Sequence, residues 1–348
     1  MEIKIGNRII GESHRPFIIA EMSGNHNQSI ERALQIVDAA ASAGAHAIKL
    51  QTYTADTMTM KGALTINDKN SLWNGQELHD LYKLAYTPWD WHKAIFDRAK
   101  EKGMLAFSSP FDETSVDFLE TLNVPAYKIA SFENTHIPLL KKVASTGKPV
   151  IVSTGVATIA DIDECMRTLK NAGCTDIILL KCTSTYPATP ENTNLITIPH
   201  LAGLHNCIVG LSDHTMGIGA SVAAVALGAR VIEKHFTLRR ADGGVDSAFS
   251  IEPEELKMLV TETERAFLAL GKIQYGIQDA EKKSVEFKRS IYVSKDIKAG
   301  EVFSSENLKI IRPSHGLPPK YWDIVIGKKA IKDIKAGQPL NWSNILNN

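Results

Sequence analysis

One pattern recurs along most of the chain and restricts the fold more than any single motif. An amphipathic stretch ends at a glycine, and a short apolar run follows. Gly44 precedes His46–Gln51, Gly103 precedes Met104–Ser109, Gly147 precedes Pro149–Ser153, Gly173 precedes Asp176–Cys182 and Gly228 precedes Arg230–Lys234. Glycine suits the left-handed residue that closes a helix. In the first amphipathic stretch Ile30, Ala33, Leu34, Val37 and Ala41 fall on one face at helical spacing. Three further runs, Pro16–Met22, Ala126–Ala130 and Cys207–Ser212, lack the glycine but match in length and composition. Strands this uniformly apolar need a parallel sheet covered on both faces. Eight such units over about 260 residues predict an α/β fold, a closed (β/α)8 barrel of the TIM type. An open doubly wound sheet is the alternative. Against it, no Gly-x-Gly-x-x-Gly follows the first run, so the dinucleotide-binding fingerprint is missing.

The remaining segments surround this barrel. Residues 2–12 read as a hairpin about Gly6-Asn7. Residues 53–102 are too long for one helix and rich in aromatics, with a helix restarting near Pro88; they form either a cover over the strand ends or a surface subdomain. The catalytic barrel is expected over 1–270, a polar linker over 271–285, and a second, β-rich module over 286–348. That module carries an internal echo, Lys295-Asp296-Ile297-Lys298-Ala299-Gly300 against Lys332-Asp333-Ile334-Lys335-Ala336-Gly337. Basic and acidic residues number 39 each, which removes any general pull toward nucleic acid or anionic membranes. Met1-Glu2-Ile3-Lys4 lacks the features of a signal peptide, no run is long enough to span a membrane, and the four cysteines are dispersed. A cytoplasmic location is the expectation, with Cys182 and Cys207 read as core residues.

In a barrel of this kind the reactive groups collect where the strands end. Those ends carry Glu21, Lys49, Gln51, Ser109, Lys128, Ser131, Glu133, Ser153, Ser184, Tyr186, Ser212, Glu233 and the histidines of Ser212-Asp213-His214 and Glu233-Lys234-His235. Two runs joined through one helix-sized stretch are parallel neighbours, so His214 and His235 should lie side by side at one rim. Neutral imidazoles with oxygen ligands suit a divalent ion with open positions, Mn2+ before Mg2+ or Co2+, acting as a Lewis acid. Zinc fits less well because no cysteine is placed to help. Lys49 and Lys128 sit inside apolar strands, where an unpaired charge is very unfavourable. They should meet a phosphate or carboxylate, or else pair with Glu21 or Glu133.

At these same residues the chain resembles the sialic acid synthase family, which condenses phosphoenolpyruvate with an N-acetylated amino sugar. The matching runs are Ile19-Ala20-Glu21-Met22-Ser23-Gly24-Asn25-His26, Ile48-Lys49-Leu50-Gln51-Thr52-Tyr53, Ser108-Ser109-Pro110-Phe111, Tyr127-Lys128-Ile129-Ala130-Ser131-Phe132-Glu133, Ser153-Thr154-Gly155, Leu211-Ser212-Asp213-His214 and Glu233-Lys234-His235-Phe236. Leu72-Trp73, Leu81-Tyr82 and Thr87-Pro88-Trp89-Asp90-Trp91-His92 are most similar to its pseudaminic acid branch, whose acceptor is 2,4-diacetamido-2,4,6-trideoxy-L-altrose. The resemblance implies that His214 and His235 bind the metal. It places Lys49, Ser109, Lys128, Ser131, Ser153, Ser184 and Ser212 around phosphoenolpyruvate, with Ser109 standing where threonine is usual and Ser184 where asparagine is usual. Glu21, Gln51, Glu133, Tyr186, Glu233 and Asp246 fall near the sugar or the reacting carbon, Glu21 or Glu133 handling a proton. It likens the last module to type III antifreeze proteins (SAF, β-clip) and implies a domain-swapped homodimer in which Arg312 reaches the partner's barrel.

Alternatives stay open. A N-acetylneuraminate or legionaminate synthase is the first alternative within the same family. A sugar-phosphate synthase or aldolase shares the barrel but not the need for residues 286–348. A non-catalytic carbohydrate- or ice-binding protein is a third reading, against which Lys298, Arg312, Lys328 and Lys329 make the last module basic rather than apolar.

Overall fold

The computed structural model describes residues 1–69 and 71–346. A hairpin, β1 (Glu2–Ile5) and β2 (Arg8–Gly11), turns at Gly6. Eight strands follow: β3 (Phe17–Glu21), β4 (Ala47–Thr52), β5 (Leu105–Pro110), β6 (Tyr127–Ile129), β7 (Val150–Ser153), β8 (Ile177–Cys182), β9 (Ile208–Asp213) and β10 (Val231–His235). They pair in parallel and in chain order, and β10 returns to β3, closing the barrel. The expected eight-stranded barrel is therefore present. The five helix-ending glycines all take positive φ, from 71° at Gly147 to 102° at Gly228.

Inside, the strands are buried along nearly their whole length, with Ile18, Ile48, Phe107, Ile129, Ile151, Leu179 and Ile232 almost completely covered. Burial on both faces explains why periodicity of two is absent from the sequence. Gly210 in β9 is required by contact: a Cβ there would lie 2.2 Å from the Val231 carbonyl oxygen of β10. β6 is shorter than its sequence run. Its chain leaves the sheet at Ala130 and enters a one-turn helix, Ser131–Glu133, which carries those two side chains to the mouth.

The segment between β4 and β5 forms helices Ala55–Met58, Leu78–Ala85 and His92–Glu101, the last entered through a turn at Trp89–Trp91 behind Pro88. Among the described residues no helix is long and apolar enough to cross a membrane.

The chain divides after Gly271, and the second unit begins at Lys272. Its first residues are exposed and include a turn of helix at Asp279–Phe287, so the expected linker 271–285 is partly ordered in itself. β11 (Ser290–Val293) and β12 (Leu308–Ile311) pair antiparallel over a small core with Phe303, Val325 and Leu340. The internal echo becomes a reciprocal clasp. Ile297 and Ile334 bridge, Lys298 reaches Asp333 at 2.8 Å, and Lys335 reaches Asp296 at 2.7 Å. Each aspartate also accepts a backbone N–H of the other arm, Ala299 or Ala336, at 2.9 Å. The exposed ion pairs add little by themselves; the amide bonds set the register of the two arms. Residues 347–348, expected to close this module, lie outside the described residues.

Candidate active site

The strand ends of the barrel gather most of the predicted residues. Glu21 of β3 is in register with Lys49 of β4 on one side and His235 of β10 on the other. Lys49 Nζ lies 2.5 Å from Glu21 and 3.8 Å from Glu233, and donates to Ser109 Oγ at 3.2 Å. Lys128 Nζ lies 3.5 Å from Glu233, which also accepts from Ser212 Oγ at 3.0 Å. Gln51 donates to Glu21 at 3.1 Å. Among the described residues the carboxylates in ion-pair contact with the two lysines are thus Glu21, one of the two expected, and Glu233, which was not expected; Glu133, the other expected candidate, is not among them. The reason is barrel closure: β10 brings Glu233 beside β4 and β6 across the interior.

The electrostatics follow from burial. All four charges are at most 5% exposed. Glu21 is raised above the ordinary carboxylate value because burial outweighs Lys49. Glu233 is lowered: burial opposes its charge, but Lys128 and Lys49 outweigh it. Two lysines and two carboxylates balance, and Glu21 is the member of the group most ready to take a proton.

Beside this floor stand the two histidines, their ring centroids 5.3 Å apart. His214 Nδ1 donates to the Thr183 carbonyl at 2.9 Å, which leaves Nε2 with its lone pair when the ring is neutral. His235 Nδ1 is buried without a hydrogen bond and lies 3.9 Å from Asp246. Burial holds His235 well below the ordinary histidine range, so it stays neutral. Asp246 is itself held by Ser23. Tyr186 packs 4.5 Å from the His214 ring, and Phe249 packs 5.0 Å from that of His235. Among the described residues no group of three or more His, Cys, Asp or Glu is arranged to hold an ion. Two available imidazole nitrogens without further protein ligands fit an ion whose remaining positions stay open, not a closed four-ligand site.

The hydroxyls form a third group. A Cβ at Gly155 would fall within 2.6 Å of both Ser131 Oγ and Ser184 Oγ, and the Gly155 amide donates to Ser131 at 3.1 Å. Ser153 Oγ is buried with no partner. Such a cradle has the size and donors for an anion. Arg312 belongs to the second unit, at the end of β12, where it is exposed and makes no ion pair among the described residues.

Glu133 lines the cavity at the mouth with one carboxylate oxygen unpaired, and burial raises it to about 7. Its ordinary value is 4.5. The folded protein therefore binds this proton more tightly than the unfolded chain. The resulting stabilisation is full below pH 4.5 and is lost as pH rises through about 7. Relative to Glu133→Gln, the wild type should lose stability between pH 5 and pH 8 in urea melts of metal-free protein. A constant gap between the two would contradict this assignment.

Some site residues escaped the sequence reading. Cys182, taken as core, puts its thiol 3.9 Å from His214 Nδ1 and 3.7 Å from Ser184 Oγ. Val245 lines the same cavity as Glu133 and His235, beside Tyr53, Trp73 and Tyr82 of the runs already singled out in the sequence. The aromatic content of residues 53–102 was the available signal, but it did not say which way those rings face.

A barrel whose ionisable groups gather at the carboxyl ends of its strands belongs to the class of (β/α)8 enzymes. Within that class the chain belongs to the NeuB family, whose profile matches residues 36–275, with an SAF domain matched at 288–346. It is 46% identical to a pseudaminic acid synthase of Campylobacter jejuni, over 97% of this chain and 98% of that protein. It is 39% identical to a pseudaminic acid synthase of Helicobacter pylori, over 95% of this chain and 98% of that one. Among solved structures it resembles an N-acetylneuraminic acid (sialic acid) synthetase from Leptospira borgpetersenii, with a TM-score of 0.74 and 35% identity over 82% of this chain and 96% of the other.

Proposed function

We propose that this chain is a pseudaminic acid synthase, joining phosphoenolpyruvate, 2,4-diacetamido-2,4,6-trideoxy-L-altrose and water into pseudaminate and phosphate. Near-full-length similarity to two proteins of that name carries the reading. The paired lysines, hydroxyl cradle and paired histidines at one mouth support it.

C3 of phosphoenolpyruvate forms a bond to the aldehyde carbon of the open-chain sugar. Water adds at C2, and the C–O bond to phosphate then breaks, leaving a ketone. A divalent ion on His214 and His235, Mn2+ by ligand type with Mg2+ or Co2+ as substitutes, supplies Lewis acidity at the acceptor carbonyl when bound. Lys49 and Lys128, which also face Glu21 and Glu233, contact the phosphate and carboxylate, with Ser109, Ser131, Ser153, Ser184 and Ser212 as hydroxyl partners. Glu21, raised by burial, takes the proton from the attacking water, with Glu133 as the other candidate. Gln51, Tyr186, Glu233 and Asp246 orient the sugar. The four unpaired cysteines support a cytoplasmic setting.

The test is one incubation with phosphoenolpyruvate, Mn2+ and a panel of sugars: the diacetamido-trideoxy hexoses and N-acetylmannosamine. Phosphate release with the altrose isomer is expected, the bridging oxygen leaving with phosphate. Release only with N-acetylmannosamine or the legionaminate precursor would reassign the acceptor.

The reading includes a domain-swapped homodimer in which Arg312 serves the partner's barrel. Its exposure, with no ion pair among the described residues, supports this. Mixing refolded Arg312→Ala and His235→Ala chains should restore about a quarter of wild-type activity, since half the dimers then hold one intact site of two. No restoration would place Arg312 in its own barrel or outside the site.

A further inference from the structure

The cavity at the barrel mouth, about 420 Å³, has two unlike linings. The barrel strands and their loops supply polar groups, Gln51, Ser131, Glu133, Ser184 and Asp246, the last 3.9 Å from His235. The share supplied by the segment between β4 and β5 is largely apolar: Met58, Ile66, Leu78 and Leu81 with the rings of Trp73, Tyr53 and Tyr82, whose two phenol hydroxyls are its polar groups, continued by Val245.

This apolar wall is braced and adjoins the reacting centre. The Trp73 ring lies 6.0 Å from Tyr186, which is itself 4.5 Å from His214. The one polar atom of Trp73 is occupied, its Nε1 donating to the Val245 carbonyl at 3.0 Å. Tyr82 packs edge-on against Tyr53 at 5.6 Å, and Tyr53 against Phe111 at 5.2 Å. Leu81 is buried.

We infer that this wall selects acceptor sugars whose hydroxyls are replaced by methyl-bearing groups, a 6-deoxy carbon and a second N-acetyl group. The inference rests on the sugar-condensing reading above and names the residues that set its specificity. A methyl group against Ile66, Leu78 and Leu81 loses only unfavourable contact with water. A hydroxyl in the same place loses its water partners and finds no donor or acceptor on these side chains. A pocket built this way rejects an added hydroxyl by on the order of 10²-fold, not more. Both kinds of sugar bring an aldehyde and a 2-acetamido group to the polar lining but differ in configuration, so the contribution of the wall is read from the change in the ratio on substituting wall residues, not from the wild-type ratio alone.

The experiment compares kcat/KM for the 2,4-diacetamido-2,4,6-trideoxy sugar with that for N-acetylmannosamine, in the full-length metal-loaded enzyme. Wild type should favour the deoxy sugar by on the order of 10²-fold. Leu78→Asn, near-isosteric, and Ile66→Thr, one carbon smaller, both at partly exposed positions, should each lower that ratio about tenfold by giving a hydroxyl a partner, with KM for phosphoenolpyruvate unchanged. An unmoved ratio in both variants, with melting temperatures near wild type, overturns the assignment of the wall while leaving the synthase reading in place. Absence of phosphate release from wild type with every sugar overturns the synthase reading itself, and this inference with it.

Discussion

His235→Ala is expected to lower kcat/KM by roughly 10³-fold or more, because a Lewis acid at the acceptor carbonyl supplies several kcal/mol of transition-state stabilisation. His214→Ala should behave alike. The two rings stand 5.3 Å apart at the ends of adjacent parallel strands, and each presents a nitrogen not used in the fold. The fold should survive either change. His235→Ala loses ring contacts with His214, Tyr186 and Phe249, and His214→Ala loses those with Tyr186 and His235, but the barrel core does not depend on either ring. Titration with Mn2+ followed by electron paramagnetic resonance provides a readout separate from turnover: free Mn2+ should persist in both variants at concentrations where wild type removes it. Full activity of chelator-treated wild type would sink the metal assignment regardless of the mutants.

Lys234→Met is expected to destabilise the protein by about 3–5 kcal/mol, through stranding Asp213 rather than through any lost packing. Lys234 and Asp213 form a 2.9 Å pair with both side chains wholly buried. Lys234 also donates to the Thr215 carbonyl at 2.6 Å, while Asp213 accepts from Thr215 and Ser221. Each partner immediately precedes a histidine, and the two residues are in register between β9 and β10. The pair therefore clips the two strands together at the level of the imidazoles. Urea melts should show the loss, and the double variant Asp213→Asn, Lys234→Met should recover a good part of it, because the uncompensated charge is gone. Equal destabilisation in single and double variants would show that packing, not charge, governs this position. In the single variant Mn2+ affinity should also fall, since the spacing of the two rings is no longer held.

Much of this site was legible before any coordinates. A parallel strand covered on both faces disfavours charge along its length unless it is paired, so polar residues closing apolar runs mark the mouth of the barrel. That is why Glu21, Gln51, Ser109, Ser131, His214 and His235 could be picked out singly. The histidine pair was legible as a pair because one intervening helix makes their strands neighbours. The partners of the lysines were not. Glu233 faces Lys49 and Lys128 only because β10 closes onto β3, a contact between the two ends of the barrel. The reciprocal clasp of the second unit lay between these cases: the repeat was visible, but the exchange of Lys298 and Lys335 between its arms was not.

The sequence by itself determined the barrel, the side of it that carries chemistry and the chemical kinds of the groups placed there, since all three follow from apolar patterning along the chain. The tertiary structure alone decided which charges neutralise one another and which aromatic and aliphatic side chains wall the acceptor cavity. Trp73 meets Val245 across 172 positions, a contact that no local periodicity encodes. The physical reason is the same in both cases: patterning specifies which face is buried, while pairing depends on where closure of the sheet and the fold of one long connection bring distant faces together.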